Sequence, residues 1–370
     1  MRVLHICIYF RNPMFMGLMK GQEEIGTEKR VFYYETRKIG LREFELPYVD
    51  SCASNVNCLP SPFLRFARLN IVKKQMFKLY ESNYAFDCIH AHTIIADGYL
   101  ALAAYKKWGI PYVVTVRNSD FNFKPYWKYK YYRKKIIEII TSAKKIVFLS
   151  KPFEDLFLSQ LTKSEKENLP ELCIVPNGID NYWHDNVYER SMDGLPEKNE
   201  WNVITVGKLC KRKNQIICCE AVKKLKEAGY HINYEMVGKP EDKKMLDAVL
   251  SYGFVDYREQ MNREALIHEY RNNDIFLLAS TGETFGLVYA EALSQGLPVI
   301  YTKGQGFDGQ FPEGFVGYST SPSDAEEIKN KIIRTMRNYK SIIPNCIEAS
   351  RRFDWNLVAK QLESVYESII

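Results

Sequence analysis

The stretch Ala279-Ser-Thr-Gly-Glu-Thr-Phe-Gly-Leu-Val-Tyr-Ala-Glu-Ala-Leu-Ser-Gln-Gly-Leu-Pro-Val299 decides the fold of this 370-residue chain. The apolar run Ile275–Ala279 is typical of a buried strand, and a polar loop, a helix over Gly286–Ser294 and another strand after Gly296 follow it. This order predicts one unit of a parallel sheet. Ligands bind such sheets outside the carboxyl ends of the strands, so the loop before the helix is a candidate site.

The residues at the start of this helix have the chemistry of a diphosphate site. Free N–H groups near Gly286, Leu287 and Val288 and the positive helix end would attract a diphosphate, and Gly286 lets it approach closely. Glu283 lies in the loop and Glu291 about two turns into the helix, so one ligand could touch both. Glutamates also commonly lie on solvated helix surfaces, and that alternative stays open.

Apolar runs alternate with amphipathic segments in both halves of the chain, which predicts an α/β protein with two Rossmann-like sheets. The predicted strands are Arg2–Tyr9, Arg30–Glu35, Cys88–Ala91, Tyr112–Val116, Lys145–Leu149, Asn202–Val206, Ile232–Val237, Ile275–Ala279 and Pro298–Tyr301. Between the halves, Pro176-Asn-Gly-Ile-Asp180 has the composition of a connector and predicts a hinge.

The domains are therefore expected at residues 1–175 and 176–350, followed by a last helical segment over 351–370. In that segment one helical stripe must be buried, formed by Trp355, Val358, Leu362, Val365, Tyr366 and Ile369.

Charge is distributed unevenly along the chain. The net charge is +6, but residues 1–175 carry 27 Lys and Arg against 17 Asp and Glu, while the rest is mildly acidic. The basic half suggests an anionic partner. The run of aromatic and basic residues over 121–135 suggests either a solvated helix or a surface that meets an anionic membrane or lipid-diphosphate acceptor.

Composition also indicates a compartment. The nine cysteines show no CxxC pair and no metal-ligand spacing, and no run approaches the ~20 apolar residues that cross a bilayer. We therefore expect reduced thiols, no metal and a cytoplasmic protein, with a location at the inner face of a membrane left open.

In register over Ser280, Glu283, Phe285, Gly286, Glu291 and Ala292, the chain resembles the retaining glycosyltransferases of family 4. That family carries the pattern Pro-Ser-x-x-Glu-x-Phe-Gly-x-x-x-x-Glu-Ala and has the GT-B fold. The resemblance implies two Rossmann-like domains with a donor cleft between them, and a C-terminal helix that crosses back to the N-terminal domain. It makes the first domain acceptor-binding and the second nucleotide-sugar-binding.

The resemblance extends to further donor residues. The strand ending Gly207-Lys-Leu implies that Lys208 and Lys213 bind the donor diphosphate, while Gly253-Phe-Val255 resembles a loop that holds the base through its backbone, at Phe254 and Val255. The stretch Asp87–Thr93 resembles a His-x-His strand end, which implies that His92 contacts the donor sugar. Glu283, His92 and Lys213 become the candidate catalytic residues, and Phe285, Gly286, Leu287, Val288 and Glu291 complete the donor site.

On the acceptor side the chain departs from the family. After the first strand it offers only Gly17 where the family often has two glycines, and Arg117 stands where the family usually has His, in the same stretch as Asp120. We expect Gly17, Arg117 and Asp120 to line the acceptor region or cleft, with Arg117 either a cleft cation or part of a structural ion pair.

The expected function is retaining, metal-independent transfer of a sugar from a nucleotide-sugar donor to a hydroxyl. The donor would be a UDP-sugar first and a GDP-sugar second, and the acceptor a saccharide or lipid-linked saccharide in surface polysaccharide biosynthesis. No cofactor and no nucleic acid are expected. The alternatives are a nucleotide-sugar epimerase or phosphorylase on the same fold, and a basic nucleic-acid-binding protein.

Overall fold

The chain divides into two compact units in its structure, a computed structural model that describes residues 1–35, 46–53, 65–81, 85–117, 120, 130–191 and 199–370. The first unit comprises Met1–Leu149, Glu154–Pro176 and Trp355–Ile370. The second comprises Ser150–Phe153 and Asn177–Asp354. The last segment was expected from residue 351, whereas the second unit extends to Asp354.

One parallel sheet forms the centre of the first unit. Its strands are β1 (Arg2–Ile6), β2 (Glu28–Glu35), β3 (Val49–Ala53), β4 (Cys88–Ala91), β5 (Tyr112–Thr115), β6 (Lys145–Phe148) and β7 (Glu171–Ile174). They lie in the order β3-β2-β1-β4-β5-β6-β7, with all neighbours parallel. The central strands β4 and β5 are buried along their whole length, which explains why apolar residues fill most of their positions.

The second unit also contains one parallel sheet. Its strands are β8 (Glu200–Val206), β9 (His231–Val237), β10 (Val255–Arg258), β11 (Ile275–Leu277), β12 (Val299–Thr302) and β13 (Gly317–Thr320). They lie in the order β10-β9-β8-β11-β12-β13. Two Rossmann-like sheets confirm the predicted fold class.

Helices alternate with the strands along the chain. In chain order they are α1 (Pro13–Glu24), α2 (Arg65–Leu79), α3 (Asp97–Trp108), α4 (Lys130–Ser142), α5 (Lys151–Leu158), α6 (Lys163–Glu167), α7 (Asn181–Asp185), α8 (Gln215–Glu227), α9 (Lys243–Leu250), α10 (Arg263–Asn272), α11 (Leu287–Ser294), α12 (Ala325–Arg337), α13 (Tyr339–Ser350) and α14 (Trp355–Glu367). Among the described residues, none of these helices combines the length and hydrophobicity that crossing a membrane would require.

The apolar stripe of α14 is buried in the first unit, in the same core cluster as Phe15, Leu18 and Met19 of α1. Close packing between the two helices requires small residues. A Cβ added to Gly17 would lie 2.2 Å from the indole Nε1 of Trp355, and one added to Gly21 would lie 2.5 Å from the Trp355 carbonyl oxygen. Gly17 therefore serves the packing of α1 against α14, and its predicted place in the acceptor region stays a prediction.

Candidate active site

The start of α11 has the geometry that the sequence suggests. Gly286 precedes the helix with φ of 82°, a conformation that residues other than glycine rarely adopt. A Cβ at this position would lie 2.5 Å from the ring of Tyr289 and 3.2 Å from Cγ of Glu283. Gly286 is thus required by both its backbone conformation and its surroundings, and the first N–H groups of α11, which have no partner within the helix, lie close to Glu283.

Lys213 and Glu283 form an ion pair beside this helix start. The Lys213 Nζ donates a hydrogen bond to Glu283 Oε2, and the two side chains are 11% and 12% exposed. Arg212 adds a second cation, with its Nη1 3.9 Å from the same carboxylate oxygen. Because β8 and β11 are neighbours, the loops after these strands bring together residues about 70 positions apart in sequence.

Two further contacts hold the backbone of Glu283. Its N–H donates to the side-chain oxygen of Gln305 at 2.9 Å, and its carbonyl accepts from Gly306 N–H at 2.9 Å. A Cβ at Gly306 would lie 2.0 Å from the Thr284 carbonyl oxygen, so only glycine fits there. Sequence reasoning missed both residues, because nothing in their spacing indicates that the loop after β12 reaches the loop after β11.

The turn that carries Lys213 is anchored by its next two residues. Asn214 adopts a left-handed conformation, and its side-chain amide donates to the carbonyls of Ala279 at 2.9 Å and Pro322 at 2.7 Å. The amide of Gln215 accepts from Cys210 N–H and donates to the Lys208 carbonyl. These residues hold the Lys213 turn in place. The sequence contains a signal for this turn, since Asn is among the residues that best tolerate a left-handed backbone conformation.

The remaining charged donor candidates have other partners. Lys208 is 56% exposed, and its Nζ lies 3.0 Å from Glu241 Oε1. Glu291 accepts a 3.4 Å hydrogen bond from the Tyr270 hydroxyl. Burial raises the pKa of Glu291 to about 7, and the nearby Asp180 acts in the same direction. The Glu291 carboxyl can therefore act as a hydrogen-bond donor near neutral pH.

The apolar donor candidates around the start of α11 differ in burial. Phe285 is 2% exposed, and its ring packs edge-on against Phe353 at 5.3 Å, so its side chain belongs to the core. Leu287 and Val288 are half-buried in the first turn of α11.

Phe254 and Val255 lie at the amino-terminal end of β10, at the edge of the sheet opposite to Lys213 and Glu283. The Phe254 ring packs at 5.8 Å from Tyr252, under Lys226 Nζ. These two residues therefore lie away from the Lys213–Glu283 pair, because they stand at the start of β10, whereas Lys213 and Glu283 follow the carboxyl ends of β8 and β11.

A cavity of about 660 Å³ lies at the carboxyl ends of β9 and β10 instead. It is lined by Lys239, Pro240, Tyr257, Glu259, Gln260, Met261 and Asn262. This volume lies within the ~300–1,000 Å³ that small-molecule sites occupy.

Three histidines form a buried cluster in the first unit. His5 Nδ1 and His92 Nε2 are hydrogen-bonded at 3.0 Å, and the His90 and His92 rings stack at 4.0 Å. His90 bonds the Tyr366 hydroxyl at 2.6 Å and Thr115 Oγ1 at 2.7 Å. Burial lowers the pKa of His5 to about 3 and those of His90 and His92 well below their ordinary value.

This cluster is the one group in the described part of the chain with metal-compatible spacing, since the ligand atoms of His5, His90 and His92 lie within 4.8 Å of one another. A metal held through His5 Nδ1, His92 Nε2 or either nitrogen of His90 would have to displace hydrogen bonds that these atoms already make, and burial disfavours the charged form of all three rings. The arrangement therefore fits a network of neutral rings.

Arg117 and Asp120 lie next to the histidines, and their side chains form hydrogen bonds with backbone groups. Arg117 Nε donates to the His92 carbonyl at 3.1 Å, and its guanidinium lies 4.8 Å over the ring of Phe15. Asp120 accepts from the N–H groups of Ile94 at 3.0 Å and Arg117 at 2.9 Å. The Asp120 carboxylate thus fixes the loops after β4 and β5.

Asp97, which sequence reasoning did not select, is fully buried at the start of α3. It accepts hydrogen bonds from the Tyr34 hydroxyl at 2.9 Å and Ile8 N–H at 3.1 Å. Burial raises the pKa of Asp97 to about 7.

Two family models match the chain. The model described as Glycosyltransferase Family 4 matches residues 18–181, and the model described as Glycosyl transferases group 1 matches residues 189–353.

Curated relatives match over most of this chain. Over 345 residues it is 24% identical to the sulfoquinovosyl transferase SQD2 of Arabidopsis thaliana, a match that covers 90% of this chain and 63% of that protein. It is 25% identical over 315 residues to the alpha-monoglucosyldiacylglycerol synthase of Acholeplasma laidlawii, covering 77% of this chain and 76% of that protein. The chain thus spans less than two thirds of the first of these relatives.

Solved structures share the fold. The sucrose-phosphate synthase of Thermosynechococcus elongatus superposes with a TM-score of 0.73 at 17% identity, covering 99% of this chain and 98% of that one. HepE of Anabaena, solved in complex with UDP, superposes with a TM-score of 0.70 at 16% identity over the whole of both chains. At these identities the likeness concerns the fold.

Proposed function

The chain belongs to the glycosyltransferases of family 4, group 1, and from this we propose that it transfers a sugar from a nucleotide-sugar donor to an acceptor hydroxyl with retention of configuration. The observation that carries the proposal is the Lys213–Glu283 pair at the start of α11. A cation, a carboxylate and a positive helix end within one small volume suit a sugar diphosphate.

The donor diphosphate would bind at the N–H groups of Leu287 and Val288, and Lys213 would neutralise its charge. Lys208 would leave Glu241 and contact the diphosphate as well. The base would occupy the cavity after β10, where the backbone of residues 259–261 can donate and accept hydrogen bonds. The UDP held by HepE supports UDP as the first nucleotide to test. This assignment replaces Phe254 and Val255.

Transfer would proceed by front-face displacement. The bond between the anomeric carbon and the diphosphate oxygen breaks, and the acceptor oxygen bonds the same face of that carbon. The acceptor proton passes to the departing phosphate oxygen. Lys213 and the α11 dipole stabilise the negative charge that develops on the leaving group, which makes a metal unnecessary in this scheme. Glu283 and Glu291 position sugar and ribose hydroxyls.

His92 is proposed as a sugar contact of the first unit. Its Nε2 is bonded to His5, whereas its Nδ1 is buried and has no partner among the described residues. A sugar hydroxyl donating to Nδ1 would satisfy an atom that is otherwise costly to bury. Arg117 would act as a positioning residue, because it holds the His92 carbonyl.

The acceptor is proposed to be a membrane lipid or a lipid-linked saccharide. The Acholeplasma relative is named as a synthase of a glycosylated diacylglycerol, and the first half of the chain is basic. The aromatic and basic run proposed to meet the membrane falls mainly on residues 121–129, outside the described residues. Peripheral attachment at the cytoplasmic face is part of this proposal.

A thermal-shift panel tests the donor assignment. UDP, GDP, ADP and their sugars would be added with and without a chelator to the wild type, to Lys213→Ala and to the neighbouring exposed Lys211→Ala as the matched control. We expect one nucleotide to raise the melting temperature of the wild type and Lys211→Ala with chelator present, but not of Lys213→Ala. No shift with any nucleotide would contradict a donor site.

A further inference from the structure

A second cavity of about 750 Å³ lies in the second unit, away from the proposed donor site. Its lining includes Trp201 near the start of β8, and Tyr230 and His231 at the start of β9. The donor loops follow the other ends of these strands. The seven residues of β8 span roughly 20 Å at ~3.3 Å per residue, so the cavity and the donor loops lie at opposite edges of the sheet.

The floor of this cavity is aromatic and apolar. The rings of Trp201 and Tyr339 meet edge-to-face at 5.0 Å, and both belong to the core cluster of the second unit. Ile333 and Met336 are half-buried and pack on the same cluster. Tyr230 adds a third ring that is only partly covered. Such a floor favours a ring or an apolar group.

The rim is cationic and its charges are not balanced. Arg337 and Lys340 are exposed, and within the described part of the chain neither makes an ion pair, a side-chain hydrogen bond or a cation-π contact. Other cations of α12 do have partners, since Lys331 pairs with Glu313 at 3.0 Å and Arg334 lies 4.5 Å over Tyr318.

No carboxylate appears among the described lining residues, whereas His231 adds a ring with donor capacity. Lys340 also lies in the first turn of α13, where a cation opposes the helix dipole and helix stability gains nothing from it. An anion between Arg337 and Lys340 would relieve both the mutual repulsion and the unfavourable position of Lys340.

We propose that this cavity binds a phosphate monoester or diester that carries a ring or an apolar group, with the phosphate on Arg337 and Lys340 and the organic part on Tyr230 and Trp201. Arg is suited to phosphate because its planar fork donates two parallel hydrogen bonds. Two sources share this chemistry, a free sugar phosphate and the headgroup of an anionic lipid. The site stands independently of the proposed donor site.

Calorimetry on the full chain with glucose 1-phosphate tests the first source, and co-sedimentation with phosphatidylglycerol vesicles against neutral phosphatidylcholine vesicles tests the second. The variants are Arg337→Gln/Lys340→Gln and a control with the same charge change and spacing, Lys163→Gln/Lys166→Gln, on exposed positions of α6. Lys213→Ala is included to separate this cavity from the donor site.

We expect at least one probe to bind saturably, with affinity lowered about tenfold or more in Arg337→Gln/Lys340→Gln but unchanged in the α6 control and in Lys213→Ala. Binding of glucose 1-phosphate identifies a free phosphate ester, and binding of anionic vesicles alone identifies a headgroup. The proposal is overturned if neither probe binds, if Arg337→Gln/Lys340→Gln binds as the wild type does, or if only Lys213→Ala loses binding. Circular dichroism confirms that each variant is folded.

Discussion

The ammonium group of Lys213 donates a hydrogen bond to the carboxylate of Glu283, although the two residues follow different strands of the second sheet. Both side chains are almost nine-tenths buried, so each charge depends on the other in the absence of a ligand. A diphosphate arriving at Lys213 would compete with Glu283 for the same ammonium group. Donor binding is therefore expected to release the carboxylate toward the sugar.

Removal of the Glu283 charge should strongly slow transfer. Glu283→Gln keeps the size of the side chain but removes its charge, and we expect kcat/KM to fall about 100-fold or more while the fold is kept. Lys211→Ala, on an exposed lysine of the same turn, should leave kcat/KM nearly unchanged. Steady-state rates with a UDP-sugar measure both, and full activity of Glu283→Gln would reject the assignment.

Gly286→Ala should destabilise the second unit and weaken nucleotide binding. The new Cβ would meet the Tyr289 ring at 2.5 Å in addition to the strain of a positive φ. We expect a loss of about 2–4 kcal/mol in the free energy of unfolding. Gly304→Ala is the matched control, because Gly304 has φ of 70° but open space around it, and should cost only about 1 kcal/mol. Urea titration of both variants measures the difference, and equal losses would show that space at Gly286 does not matter.

The first unit should lose stability as the pH falls below the ordinary histidine pKa of 6.5. His5, His90 and His92 have lowered pKa values in the folded chain, so the unfolded chain binds more protons as the pH falls, and stability present above 6.5 is lost. Asp97 acts in the opposite direction, because its folded pKa of about 7 lies above its ordinary 3.8. Between pH 7.5 and 5.5 the three histidines of the unfolded chain are on average half protonated and Asp97 offsets part of this, so the net excess is about one proton and the slope about 1 kcal/mol per pH unit.

Hydrogen exchange of peptides from β1 and β4, corrected for intrinsic rates, measures this slope between pH 7.5 and 5.5. His5→Gln should reduce this slope by about half a proton, whereas replacing the exposed His268 by Gln should not. Equal stability at the two pH values would contradict the neutral network.

Gly17→Ala should separate α1 from α14. Its Cβ would overlap the indole of Trp355, and we expect about 1–3 kcal/mol of destabilisation of the first unit from overpacking. The smaller ring in Trp355→Phe should restore part of this loss in the double variant. Additive losses measured by urea unfolding would show that the two residues do not contact each other. The KM for the donor should stay unchanged, because Gly17 faces Trp355 and none of the residues proposed to bind the donor.

How far the sequence predicts the fold depends on where each strand lies in its sheet. All nine predicted strands are present, with ends shifted by a few residues, whereas β3, β7, β10 and β13 were not predicted. These four are the edges of the two sheets. Every residue of β7 and β10 is exposed or half-buried, and β13 consists of Gly, Tyr, Ser and Thr. None of them shows the continuous apolar run of a central strand.

For the site residues too, the sequence predicts local patterns but not contacts between distant loops. The helix start at Gly286 and the candidates Lys213 and Glu283 follow from a pattern that is local in sequence. Phe254 could not be placed from its spacing, because a short motif beside a strand does not reveal at which end of the strand it lies. Gln305 and Asn214 act through contacts between loops that only the folded chain brings together.

The edge strands also bear on how the chain behaves at high concentration. An unpaired strand edge can extend its ladder into a second molecule, which is the first step toward aggregates. Here β10 exposes Asp256 and Arg258, and β7 begins with Glu171, whose carboxylate lies 2.9 Å from Lys145 Nζ. A copy that docked its own edge on these strands would have to desolvate those charges, so the polarity of β7 and β10 opposes self-assembly through these two edges.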